Sequence, residues 1–461
     1  MTVISEKRPI VSGLRPPTFG SGTPPKEELA IHGGPRAFRQ PRGQPQPKIG
    51  TDEFLAIARR FGFQPDAIAR LRGAVSGADL PADGPNFAKY RVGRPAPSAG
   101  SQFEAAAREY FGSPYALGVS SGTGALHAAM VAVGAGPGKE VVVPGLGFLA
   151  TAMAAVLAGA TPVFCDVDDS LQMDPEKLEA CLSPRTVALA PTHHWGGVAD
   201  MAPIIAIAKK HKLAVIEDCA QSPGATYHGQ RVGTIGDIGC FSISAYKIIG
   251  AGEGGLVLAK DERWFDRINQ LAESGGLWRP DRFAPPRYEG ELFAGTNYRM
   301  SELEAAADVV QLGKLDAIVG RYRQAYQRIL GQLQRVREVR PQRLNDRAGV
   351  LGYLLRFFPR TEELRAKLLT ALRAEGVPAS SPGPDAGPDW HFCGDMFPLR
   401  PYLTAASGPQ RCAVAADLYH REIRIAIDQW WTSEDCDAVA KGINKALTAY
   451  GAAVGYATVG W

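Results

Sequence analysis

The sequence predicts an α/β protein with a doubly wound, mostly parallel sheet. Two observations point there. From about Phe103, short runs rich in β-branched residues alternate with amphipathic or apolar helical runs. Several of the short runs, such as VVV (141–143) and LAVIE (213–217), are apolar at successive positions. Strands of that kind are buried on both faces, as in parallel sheets covered by helices.

Taken in order, residues 1–50 carry nine prolines, eight basic and three acidic side chains, and few periodic apolar positions. They read as an extended arm. Residues 51–75 show a short helical pattern through Phe54, Leu55, Ile57, Ala58, Ile68 and Leu71. The strand expectations that follow are Tyr115–Ser120, Glu140–Pro144, Thr161–Asp166, Thr186–Pro191, Leu213–Glu217, Ile238–Ile243 and Gly255–Ala259. Helices are expected at Gly122–Val133, Leu149–Leu157, Pro175–Cys181, Ala202–His211 and Arg263–Glu273. One long amphipathic helix is expected over Ser301–Val339. Shorter alternating segments then run to a helix at Glu434–Tyr450, enough for a smaller C-terminal α+β domain. The expected division is an N-terminal extension over 1–85, a large domain over 86–315 and a small domain over 316–461.

Composition excludes several classes. The 461 residues carry 51 Lys+Arg against 47 Asp+Glu, a balance foreign to a chain that works mainly as a polycation. No apolar run approaches the ~20 residues of a membrane span. The N-terminus lacks a secretory apolar segment, so a cytoplasmic protein is expected. The seven cysteines show no C-x-x-C spacing and sit among apolar neighbours, so buried thiols are expected and no metal site.

Three motifs carry chemistry. Ser121-Gly122-Thr123-Gly124 follows a strand and opens a helix. Free N–H groups at a helix start, with glycine allowing close approach and hydroxyls beside it, cradle phosphate. The same residues would also serve as a plain helix cap. Asp218 ends the apolar run AVIED and stands on the ligand side of such a sheet, where a carboxylate can pair with a protonated heterocyclic nitrogen or simply cap a turn. Lys247 lies between an apolar strand and a glycine run. A desolvated lysine there has a lowered pKa and can form a Schiff base, although a lysine reaching to the surface has the same surroundings in sequence. Gly250-x-Gly252-x-x-Gly255 matches the dinucleotide spacing but leads into a strand, so its phosphate logic fails. His193-His194-Trp195 ends another strand without metal-ligand spacing and suits packing or substrate contact.

The order of the three motifs is more specific than any one of them, and it resembles the fold-type I pyridoxal 5'-phosphate (PLP) enzymes. Within that group the chain is similar to the DegT family of sugar and cyclitol aminotransferases. The residues carrying the likeness are SSGTGALHA (120–128), VVVPGLGFLATA (141–152), VIEDCAQSPGA (215–225), VGTIGDIGCFSISAYKIIGAGEGGLV (232–257) and GTNYRMSELEAA (295–306). The resemblance implies roles position by position. Lys247 matches the lysine that holds PLP, and Asp218 the partner of the pyridine nitrogen. Gln221 matches the residue beside the ring hydroxyl, and Phe148 the aromatic on the ring face. Ser121, Gly122, Thr123 and Ser242 match the phosphate cup. Asn297 matches an asparagine reaching the neighbouring subunit's phosphate, which implies a homodimer with shared active sites.

The implied function is transfer of an amino group from an amino acid, glutamate or glutamine, to a keto-sugar, cyclitol ketone or related oxo compound of secondary metabolism. The rivals are another PLP reaction on the same scaffold, such as elimination or C–C bond formation, and a non-catalytic regulator that keeps the cofactor. The sequence departs from the family pattern at Ser121, at Tyr246 before the lysine and at His194-Trp195, and its strip 381–403 is unlike the ordinary sugar-binding region. His193, His194, Trp195 and Tyr246 are therefore the substrate-side candidates.

Overall fold

The computed structural model describes residues 26–40, 47–81, 84–89, 97–276, 279–384 and 389–456. The chain divides into two compact units, Met1–Pro85 and Asn86–Trp461. In the first, two helices, Thr51–Arg60 and Pro65–Ala74, close on Leu55, Ala58 and Ile68. The single helical pattern of 51–75 breaks there at Gly62, whose φ of +84° a residue with a Cβ rarely adopts. Most of the proline-rich arm lies outside the described residues.

The second unit is built on a seven-stranded sheet. Its strands are β1 (Tyr115–Val119), β2 (Glu140–Pro144), β3 (Thr161–Cys165), β4 (Thr186–Leu189), β5 (Ala214–Asp218), β6 (Ile238–Ser242) and β7 (Gly255–Ala259). The spatial order is β1-β7-β6-β5-β4-β2-β3. Only β7 runs antiparallel to its two neighbours. The central strands β2 and β5 are buried at all five positions, as their continuous apolar runs require. Two separate apolar clusters cover the two faces. One holds Leu126, Val141, Phe164 and Ile216; the other holds Val142, Val163, Leu189 and Val215. Neighbouring residues of one strand thus serve opposite layers.

The long helix expected over Ser301–Val339 is two helices, Glu302–Leu312 and Leu315–Leu330, followed by the strands Gln334–Val336 and Val339–Pro341. Gly313 and Gly331 punctuate it. Glycine costs about 1 kcal/mol in a helix interior, and Val336 and Val339 gain burial against a four-stranded sheet and the helix Ser433–Tyr450. That sheet, its strands Val339–Pro341, Leu354–Pro359, Ile423–Ala426 and Ala379–Ser380 in spatial order, is antiparallel throughout. Among the described residues no helix is long and apolar enough to cross a membrane. All seven cysteines are buried thiols.

Candidate active site

The carboxyl ends of β5 and β6, the start of the helix α1 (Gly122–Ala132) and the loop around Lys247 converge beside β1. Ser121 caps α1: its Oγ accepts from the Gly124 N–H at 3.0 Å. The first helical N–H groups, on Gly122 and Thr123, fall outside the helix's own ladder. A Cβ on Gly122 would stand 2.6 Å from Ser242 Cβ. One on Gly255 would stand 2.4 Å from the Ser121 carbonyl oxygen. Two glycines therefore let α1, β6 and β7 meet, which brings Ser121, Thr123 and Ser242 around one helix start.

Asp218 is the last residue of β5 and 3% exposed. Thr151 donates its hydroxyl to Asp218 Oδ2 at 2.5 Å, and the Ala220 N–H donates to Oδ1 at 3.0 Å. Its backbone is locked by Pro191 and His193. These two hydrogen bonds, one to each oxygen, hold the carboxyl group in one orientation. Lys247 is half-buried. Burial lowers its pKa from the ordinary lysine value, and the Asp218 charge opposes that shift. The amine accordingly loses its proton at lower pH than a surface lysine.

Lys247 lines a cavity of about 350 Å³ with Trp195, Gln221, Tyr246, Tyr353 and His391. Gln221 Oε1 accepts from the Trp195 N–H at 2.8 Å, and its backbone carbonyl accepts from the Tyr353 hydroxyl at 3.1 Å. Phe148 is partly exposed, its ring 5.5 Å from that of His391. Asn297 is exposed, its side-chain oxygen accepting from the Arg299 N–H at 3.2 Å. Tyr246 is 98% exposed.

The substrate-side candidates part company. Trp195 faces the cavity, in a left-handed conformation with φ 48°. His194 stacks behind it at 4.7 Å and is 1% exposed. Burial first, then the Arg356, His391 and Arg424 charges, keeps its ring well below the usual histidine pKa and neutral. His193 does not reach the cavity, contrary to expectation. It is wholly buried, takes the Ala199 N–H on Nδ1 at 3.1 Å and so donates from Nε2 to Glu217 at 2.9 Å. Glu217 also accepts N–H groups from Gly233, Ile235 and Gly236. With Cys219, these two form a group within metal-ligand reach of one another, yet those hydrogen bonds already occupy them as a polar packing unit.

Sequence reasoning missed a second wall. Segment 389–393 runs beside the Phe148 loop: Gly147 N–H bonds to His391 O, Leu149 N–H to Trp390 O and Cys393 N–H to Gly145 O. His391 thereby enters the cavity, its Nδ1 2.5 Å from Asp389 Oδ1. Burial raises the Asp389 pKa, but the His391 hydrogen bond, the nearby Tyr419 hydroxyl and the His391 and Arg424 charges outweigh it and hold the carboxyl at about 2. Arg424 stacks over Trp195 at 3.7 Å and bonds to Glu422 at 2.7 Å. The signal available was the concentration of Asp, Trp and His at 389–391, in a strip unlike the family.

These residues fit PLP. The cradle that a Cβ would fill suits a phosphate, a buried carboxylate suits a protonated ring nitrogen, and a half-buried amine suits the aldehyde.

The sequence profile of the DegT/DnrJ/EryC1/StrS aminotransferase family matches residues 98–444. The chain is 40% identical over 236 residues to GDP-perosamine synthase of Caulobacter vibrioides, a stretch covering 50% of this chain and 62% of that relative. It is 40% identical over 229 residues to L-glutamine:2-deoxy-scyllo-inosose aminotransferase of Streptomyces lividus, covering 49% of this chain and 54% of the relative. The match thus spans less than two thirds of these relatives. Among solved structures, an aminotransferase from Psychrobacter cryohalolentis aligns with a TM-score of 0.66 and 29% identity over 76% of this chain and 92% of that one. The synthase of 3-amino-5-hydroxybenzoic acid aligns with a TM-score of 0.64 and 26% identity over 76% and 91%. The fold is that of the fold-type I PLP transferases. The chain belongs to the DegT/DnrJ/EryC1/StrS aminotransferase family.

Proposed function

We propose that the protein is a PLP-dependent aminotransferase that moves an amino group from glutamate or glutamine to a keto-sugar, cyclitol ketone or related oxo compound in secondary metabolism. The observation that carries this is the pairing of a half-buried, pKa-lowered Lys247 with the hydrogen-bonded carboxylate of Asp218 in one site. The names of the sugar and cyclitol relatives support the substrate class. We further propose a cytoplasmic homodimer in which the exposed Asn297 serves the partner's phosphate. Its protomer has a large domain over 86–315 and a small one over 316–461, after the extension 1–85.

PLP supplies the electron sink when bound. The chain's own residues do the rest. Ser121, Thr123, Ser242 and the free N–H groups of α1 bind the phosphate. Asp218, anchored by Thr151, keeps the ring nitrogen protonated. Gln221 would offer its amide N–H groups to the ring hydroxyl, and Phe148 would cover a ring face. Lys247 would hold the aldehyde, and its amine, when free, would take a proton from the donor's α-carbon and return it to the cofactor. A lowered pKa is what that work needs at neutral pH. His391, fixed by Asp389, and Trp195 face the acceptor.

Borohydride treatment of the loaded protein, followed by peptide mass analysis, tests this reading. The cofactor mass is expected on the Lys247 peptide, with none in Lys247→Ala. Cofactor fixed to another lysine overturns it.

A further inference from the structure

A second concavity lies in the C-terminal region, away from the Lys247 cavity, and shares no lining residue with it. It is an open groove of about 900 Å³, within the volume range of small-molecule sites. Five guanidinium groups line it, from Arg335, Arg337, Arg340, Arg360 and Arg421, against the single carboxylate of Asp417. They come from several chain segments: the strands Gln334–Val336 and Val339–Pro341, the turn between them, the end of Leu354–Pro359 and the helix Ala413–Arg421. Outside residues 1–50 the chain is almost neutral, so the basicity is local.

The register gathers them. Val339 pairs with Pro359 and Arg340 with Phe358. The Arg360 N–H donates to the Glu338 carbonyl at 2.9 Å, which brings Arg360 beside the turn that carries Arg337. Val336, Val339 and the buried Phe358 form the apolar floor.

Nearby acids are already engaged. Asp417 is bound by Arg421, whose Nε lies 2.6 Å from Oδ1. Asp169 lies 3.5 Å from Arg340 but bonds to Arg343 at 2.6 Å. Glu338 accepts the Ala452 N–H at 2.9 Å. Among the described residues, the exposed Arg337 and Arg360 guanidiniums have no acidic partner. A concavity of one sign focuses its field on a counter-ion, and planar guanidiniums match phosphate oxygens two at a time.

We infer that this arginine-lined cleft is a binding site for a pyrophosphate group, free or carried by a nucleoside diphosphate. A pyrophosphate offers several anionic oxygens, enough to pair with Arg337, Arg360 and Arg340 together.

The test is titration calorimetry with sodium pyrophosphate on the full-length, PLP-loaded protein, so that the cofactor's own phosphate cup is filled, at near-physiological salt. One site per chain with Kd below about 1 mM is expected. In the double variant Arg337→Gln/Arg360→Gln the affinity should fall at least about tenfold. Both positions are exposed, so the thermal unfolding midpoint should not move. Displacement of pyrophosphate by ADP at comparable concentration supports recognition of the shared group. The inference is overturned by the absence of saturable binding up to about 10 mM, by equal binding to the double variant, or by a short oligonucleotide that outcompetes pyrophosphate by orders of magnitude. None of these outcomes depends on the transfer reaction.

Discussion

The Thr151 hydroxyl lies 2.5 Å from Asp218 Oδ2, 67 residues along the chain, and ties the start of the helix Ala150–Leu157 to the end of β5. Both partners are buried, 3% exposed each. The bond fixes the carboxylate's rotation.

Replacing Thr151 by Val keeps the shape and removes the donor. Among the described residues, Asp218 then keeps only the Ala220 N–H on its side chain. The donor half-reaction is expected to slow about tenfold, equivalent to ~1.4 kcal/mol, with the cofactor still bound. Stopped-flow rates with glutamine check this, and unchanged rates would remove Thr151 from the positioning of Asp218.

Gly122→Ala places a methyl 2.6 Å from Ser242 Cβ and 3.0 Å from its Cα. The start of α1 must move off β6, and the phosphate cup opens. Cofactor affinity, measured by equilibrium dialysis, is expected to fall at least about tenfold while circular dichroism stays native. Wild-type affinity would show that the cup does not depend on this approach.

His391→Asn removes the ring that faces the cavity. The acceptor half-reaction is expected to lose about tenfold or more in kcat/KM, and the donor half-reaction to stay within about twofold. Equal losses in both halves would place His391 at the cofactor rather than at the acceptor.

Asp308 carries a buried carboxyl whose two oxygens have no hydrogen-bond partner, and burial, with Glu304 adding, pushes it up to about 7. A folded pKa above the unfolded one means that the native state holds the extra proton. Its contribution to stability is therefore full below pH ~4 and lost as pH rises toward 7. Asp308→Asn should raise stability at pH 8 by about 1–3 kcal/mol and change it little at pH 4. Denaturant melts at the two pH values measure the difference, and an equal effect at both would contradict the buried acid.

The sheet was legible because burial on both faces leaves unbroken apolar runs, so strands such as Glu140–Pro144 and Gly255–Ala259 stand in the sequence with their full bounds. Asp218 and Lys247 were legible because strand ends and glycine runs mark the ligand side. The second wall was not. His391 and Arg424 reach the Trp195 ring from about 200 residues away along the chain, His391 through a strip with no periodicity to place it and Arg424 from the strand Ile423–Ala426, whose pattern does not show which site it faces. His193 misled because adjacent histidines look alike in sequence, whereas Nε2 of this one is held by Glu217, on the opposite face of β5 from Asp218. The break at Gly313 was hidden because an apolar stripe continues across it, and only tertiary packing decides whether a helix bends or ends.

The central claim is that Lys247 and Asp218 serve amino transfer. The most direct measurement is the visible spectrum of the loaded protein during addition of glutamate or glutamine with no acceptor present. Loss of the yellow cofactor band, with the 2-oxo acid formed in equal amount, is the predicted result. A bound cofactor whose band neither donor changes would contradict it.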